Sequence, residues 1–160
     1  MLKIETERFG EIEIDESKLI TFTGGLLGLE EYNKFALLNI EESFPIMWLQ
    51  CVTDGGVALP VVDTFSVEPE YAFTLDEEDV NELEIESPDD VQLVSVLSIQ
   101  DNVEQMTMNL AAPLVINART GRAKNVVLSN PDYVVKSPVF EKICRLLKEE
   151  EADADSVSEG

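Results

Sequence analysis

Apolar and charged residues alternate from the second residue of the chain. Leu2 and Ile4, then Ile12 and Ile14, interleave with charged side chains on either side of Phe9-Gly10. A period of two with a turn between predicts a hairpin with one buried face. Residues 19–22 continue as a short strand. The glycine-rich stretch Thr23-Gly24-Gly25-Leu26-Leu27-Gly28 follows, then a single helical turn over 30–34 and a strand over 35–40. Residues 47–52 and 57–62 read as apolar strands joined through Thr53-Asp54-Gly55-Gly56, a turn in which glycine would take up positive φ.

The second half mixes both periods. Residues 76–83 (DEEDVNEL) predict a helix whose early acids suit the positive end of its dipole, with Ser87-Pro88 as the stop. Residues 91–99 have the pattern of a central strand. Met106, Met108 and Leu110 alternate with Thr107 and Asn109, and segments 114–117 and 125–128 flank a turn at 118–122. Ser137 as N-cap and Pro138 at the first helical position open a last helix. Its residues Val139, Phe140, Ile143, Cys144, Leu146 and Leu147 fall near one face. Asp132-Tyr133, after Asn130-Pro131, reads as a turn and the start of a strand. The expectation is a mainly β, small barrel-like single domain of short antiparallel strands, spanning 1–148, with a short internal helix and a C-terminal helix. Residues 149–160 form an acidic tail without a core pattern, expected to be mobile.

Composition narrows the function. The chain has 160 residues, enough for one real core, and 44% of them are hydrophobic. Its net charge is -22 and it has no histidine. Between Lys34 and Arg119 there is no lysine or arginine, while seventeen Asp and Glu fall in the same interval. Such a field attracts basic partners, repels nucleic-acid phosphates and, through self-repulsion, favours a monomer. Lack of histidine removes the Ser-His-Asp triad and histidine metal ligation. Cys51 and Cys144 stand apart as two reduced thiols, and no GxxxxGK[ST] loop occurs. A calcium loop from Asp76 would need glycine and glutamate where Asn81 and Ser87 stand. Neither an enzyme nor a metal or cofactor site is expected. No apolar run approaches the roughly 20 residues that span a bilayer, and the charged N-terminus has no export signal, so a cytoplasmic location is expected. Trp48 reads as core. Arg119, Arg122 and Lys124 read as a solvated loop tip, or else as a positive spot that orients a partner.

Three ordered blocks of sequence carry a resemblance. They are FGEIEIDESKLITFTGGLLGLEEYNKFALL, MWLQCVTDGGVALPVVDTFSVEPEYAF and, most specific, MTMNLAAPLVINARTGRAKNVVLSNPDYVVKSPV. Together they resemble the flagellar assembly factor FliW family from the N-terminus to about Phe140. Thr23, Leu27 and Thr64 stand where that family often has proline. The resemblance implies a non-catalytic bacterial protein that binds flagellin. It also implies binding of CsrA, the small basic RNA-binding regulator that represses flagellin translation. Scarce flagellin would leave the protein free to sequester CsrA.

Partner contacts are expected from loops and strand ends. The candidates are Asp54, Asp63, Phe65, Glu68, Glu70, Tyr71, Asn109, Asn117, Asp132 and Tyr133. Phe65 and Tyr71 also read as core, and Asn109 and Asn117 as structural hydrogen-bonders. Competing readings are an acidic chaperone or adaptor for flagellin or other basic partners without a CsrA role, a carboxylate-dependent hydrolase, and a DNA mimic.

Overall fold

The computed structural model describes residues 2–24, 26 and 28–159, with side chains in the last helix as far as Glu151. Gly25 and Leu27 of the glycine-rich loop, and the side chains at the end of the acidic tail, lie outside the described residues. Strands β1 (Leu2–Thr6) and β2 (Gly10–Ile14) make the expected hairpin, in register from Leu2↔Ile14 to Thr6↔Gly10. The Thr6 hydroxyl closes its turn by accepting from the Phe9 amide and donating to the Gly10 carbonyl. Gly10 sits at φ 69°, which a side chain would resist.

The remaining strands are β3 (Ile20–Phe22), β4 (Lys34–Leu38), β5 (Met47–Cys51), β6 (Ala58–Asp63), β7 (Val91–Ser98), β8 (Thr107–Met108), β9 (Leu114–Asn117), β10 (Arg122–Asn125) and β11 (Ser137–Pro138). Seven of them close into a barrel in the order β3-β4-β5-β6-β7-β9-β10 and back to β3. The seam between β10 and β3 is parallel, with Ala123 opposite Phe22, and the other barrel pairs are antiparallel. β8 and β11 extend from the far half of β7. Three α-helices lie outside: α1 (Thr64–Val67), α2 (Glu77–Glu82) and α3 (Phe140–Glu159).

Two cores follow from the strand pleat. Phe22, Phe35, Leu49, Val61, Val94 and Leu114 fill the barrel, with Phe22 and Phe35 packed edge to face at 5.6 Å. Val62, Leu93 and Val115, each next in sequence to an inward residue, point the other way. They join Leu83, Met108, Val139 and Ile143 in a second core beneath the helices. Strands buried on both faces explain why 114–116 is wholly apolar and why 91–98 carries the adjacent apolar pairs Leu93-Val94 and Val96-Leu97.

The structure departs from the sequence expectations at several points. Residues 28–31 form turns, and Lys34 already belongs to β4. α1 was not foreseen; Thr64 enters it with its hydroxyl 2.8 Å from that of Ser95 in the buried wall. Ser137 and Pro138 pair with Met108 and Thr107 as an edge strand, and α3 begins at Phe140. The Ser-Pro signature also suits a strand edge, where proline need not donate a hydrogen bond. α3 runs to Glu159, past the expected limit near 148, because Glu, Ala and Asp interpose no helix breaker. β10 comprises Arg122–Asn125, three residues before the segment expected, and Gly121 at φ 80° ends the turn ahead of it. Asp132-Tyr133 remain in a turn held by Asn130 and start no strand.

Trp48 is only half-buried, on the outside of the barrel. Phe9 meets its ring edge-on and the Arg8 guanidinium lies 4.1 Å above it, so Trp48 anchors the β1–β2 hairpin. Gly55 and Gly56 do not have positive φ. Gly55 is required instead by close approach: a Cβ there would overlap the Glu5 carbonyl, and its own carbonyl accepts from the Glu7 amide at 3.1 Å.

Candidate partner-binding face

Helix α2 organises the acidic side of the molecule. Asp76, expected as the first helical residue, instead caps it by accepting from the Asp79 amide. It ends before Ser87-Pro88: Glu84 turns left-handed at φ 57°, and the Glu84 and Ile85 amides bond back to the Asn81 and Val80 carbonyls. That 6→1 and 5→2 pair is a Schellman end, and it brings Ile85 alongside Val80. Ser87-Pro88 then open a separate 3-10 turn over Pro88–Asp90.

The three basic residues after Asn117 all serve this helix. Lys124 Nζ lies 2.5 Å from Asp79 and 3.0 Å from Glu82, acids three apart on one helical face. Arg122 pairs with Glu84 and donates to the Glu82 carbonyl. Arg119 pairs with Glu86 and Asp90 and donates to the Glu84 carbonyl. Cations at the last carbonyls complement the helix dipole. Donating to Asp79 and Glu82 pushes the Lys124 ammonium above its ordinary value, and the bond from Lys124 holds the Glu82 carboxyl below its own. The trio is therefore neither a solvated tip nor a free positive spot; it clasps α2 to the barrel.

Asn117, completely buried, completes the clasp. Its amide donates to the Leu83 and Glu84 carbonyls at 2.8 and 3.2 Å, while its oxygen accepts from the Arg119 and Thr120 amides. Asn109 is similarly occupied, accepting from the Ala111 and Ala112 amides. Asp54 lies at the opposite end of β6 from Asp63. Half-buried, it accepts from the Tyr32 hydroxyl at 2.9 Å and from the Gly56 amide, which raises the tyrosine's pKa. These three residues do structural work at separate places.

The candidates 63–71 with Tyr133 are brought together. Asp63 accepts from the Ser66 hydroxyl across α1. Phe65, read first as core, is 45% exposed, because a helix of four residues buries one face only, here Thr64 and Val67. Glu68 pairs with Lys142 of α3, whereas Glu70 is exposed. Tyr71 is buried and donates to the Leu110 carbonyl at 2.6 Å; burial, and then the nearby Tyr133, push its pKa up. Tyr133 stacks at 4.4 Å from Tyr71, and its hydroxyl bonds both the amide and the carbonyl of Ala72. Asp132 is exposed beside it.

Phe65 and Tyr71 form one side of an open apolar groove of about 580 Å³. Sequence reasoning missed its other walls: Phe73, Leu75, Val80, Ile85 and Val91. Phe73 and Leu75 are half-buried between exposed Ala72 and Thr74, a short alternation that could have flagged them. Among the described residues no cluster of acids and cysteines could hold a metal ion, and no helix is long and apolar enough to cross a membrane.

Comparison with known proteins agrees with this architecture. The chain matches the FliW protein family over residues 3–139. It is 40% identical over 139 residues to the flagellar assembly factor FliW of Syntrophus aciditrophicus, covering 87% of this chain and 88% of that one. It is 32% identical over 158 residues to the protein of the same name from Alkaliphilus metalliredigens, covering 98% and 97%. A crystal structure of the flagellar assembly factor FliW superposes with a TM-score of 0.80 at 34% identity, over 87% of this chain and 97% of the other. The chain thus belongs to the FliW family of flagellar assembly factors.

Proposed function

We propose that this protein is a monomeric, cytoplasmic, non-catalytic partner switch that binds flagellin and, when flagellin is scarce, sequesters CsrA. Sequestration would relieve repression of flagellin mRNA translation. The observation that carries this reading is the distribution of charge. The block from Phe35 to Ala118 contains no base, and the three bases that follow it are bound to acids of α2 and of the segment after it. Acids elsewhere on this side, such as Glu70, Glu77 and Asp89, form no ion pair among the described residues. A small basic regulator would be steered to such a surface, and RNA phosphates would be repelled from it. Asp63, Phe65, Glu70, Tyr71, Asp132 and Tyr133 are the candidates best placed for direct contact. Asn109, Asn117 and Asp54 would act by holding loops in position.

The test is calorimetric titration of the protein with CsrA at two salt concentrations, repeated with flagellin present. A stoichiometric, salt-sensitive complex abolished by flagellin is expected. Binding of flagellin with none of CsrA would reduce the role to that of an acidic flagellin chaperone.

A further inference from the structure

The groove beside α2 has a frame that specifies what should enter it. Its lining runs from Phe65 to Leu93, wholly within the base-free block. The walls offer Phe65, Phe73, Leu75, Val80, Ile85 and Val91, with Phe65 nearly half exposed although it is a large apolar side chain. Eleven acids fall in the same interval. Six of them, Glu68, Asp79, Glu82, Glu84, Glu86 and Asp90, pair with bases of β10, its preceding turn or α3. Glu70, Asp76, Glu77, Glu78 and Asp89 have no cationic partner among the described residues. The acid in the lining itself, Glu86, is taken by Arg119, but Glu70, Glu77 and Asp89, next to the lining residues Tyr71, Val80 and Pro88 in the chain or on the helix, are uncompensated. An apolar cleft alone would accept any greasy segment; uncompensated carboxylates at its rim discriminate by sign.

We propose that this groove is a docking site for a short partner segment that presents two or three bulky apolar side chains flanked by lysine or arginine. The apolar side chains would enter between Phe65 and the Val80–Ile85 wall. The flanking cations would lie against Glu70 on one side and Glu77 and Asp89 on the other. The groove volume is within the range, about 300–1,000 Å³, of pockets that take up a ligand of drug size. The Schellman end of α2 fixes Val80 against Ile85, so this wall is formed before a partner arrives. The assignment does not depend on which proteins carry such a segment.

The test uses the full chain and two synthetic peptides with the same leucine- and phenylalanine-containing centre, one flanked by lysines and the other by glutamates. Fluorescence anisotropy should show saturable binding of the lysine-flanked peptide, weakening as salt rises, and at least about tenfold weaker binding of the glutamate-flanked one. Phe65→Ser should reduce affinity by about tenfold or more, as expected for an exposed aromatic anchor. Leu75→Ser should do likewise, with circular dichroism confirming that each variant is folded. Glu77→Lys with Asp89→Lys should abolish the preference between the peptides. Equal binding of the two peptides, binding of neither, or indifference to both Phe65→Ser and Leu75→Ser would overturn the proposal. Self-association of the wild type that Phe65→Ser abolishes would assign the groove to a second copy and overturn it equally. CsrA titration of the same variants separates the two hypotheses: retained CsrA binding with no peptide binding would remove the groove and leave the partner switch standing.

Discussion

The two flanks of helix α2 are built from the same residue types and are put to opposite use. On the barrel side every acid meets a cation or a backbone donor: Asp79 and Glu82 share Lys124, Glu84 takes Arg122, and Asp90 takes Arg119 and the Glu86 amide. Asp79 and Asp90 are largely shielded there, at 11% and 15% side-chain exposure. On the groove side, Glu77, one turn before the groove-lining Val80, and Asp89, next to the groove-lining Pro88, are exposed and have no ion pair among the described residues. The chain therefore commits its scarce cations to architecture and leaves the other flank electrically unfinished. Charge on this protein is informative only once the paired carboxylates are subtracted.

The largest expected effect comes from breaking the structural flank at its buried end. Asn117→Ala leaves the Leu83 carbonyl and two amides without their partner, with the Glu84 carbonyl held by Arg119 alone, and should cost about 3 kcal/mol, read as a lower midpoint in urea unfolding. Lys124→Met should cost less, about 1–2 kcal/mol, because Lys124 and Glu82 are each about a third exposed to water.

The same substitution has a pH signature. The Glu82 carboxyl lies below its ordinary value of 4.5 in the folded protein, so its contribution is complete above that value and fades as pH falls through the lowered one. Lys124 lies above its ordinary 10.5, so its contribution is complete below that value and fades as pH rises through the raised one. The stability gap between wild type and Lys124→Met should hence be flat between about pH 5 and 10 and narrow outside that window. Thermal melts across pH would check this; a gap that widens in acid would contradict the clasp.

The smallest effects on stability belong to the other flank. Glu70→Lys with Glu77→Lys should change unfolding by no more than about 0.5 kcal/mol, yet slow association with a basic partner in stopped flow, most visibly at low salt. Glu68→Lys is a poorer probe, because it opposes Lys142 and disturbs α3 as well.

Much of the fold was legible. Period-two alternation located both strands of the hairpin and β7, apolar runs around a turn located β5 and β6, and the early acids of 76–83 placed α2. What misled was local chemistry with two meanings. Ser137-Pro138 fits a helix start as well as a strand edge, and only pairing with Met108 decides between them. Gly55 and Gly56 suggested a turn conformation, whereas Gly55 is there for its missing side chain against Glu5. The site was less legible for a related reason. Arg119, Arg122 and Lys124 sit some forty residues from their acids in sequence, so their engagement depends on β10 lying beside α2. Phe65 was misjudged because a four-residue helix does not bury both of its faces.

The parallel seam of the barrel has a consequence for synthesis. Thr21 and Phe22 wait for Arg122 and Ala123, about a hundred residues later, before the wall can close. Such distant pairing is slow to form because a long loop must be ordered first. On the ribosome it is also impossible until residue 125 has emerged. At about 5–20 residues per second, the hundred residues between leave an open sheet for at least roughly 5–20 s per molecule. Its early interior residues, Phe22 and Phe35, are exposed to other chains during that interval. The strong negative charge, uniform over the middle of the chain, keeps nascent copies apart until the last strand arrives.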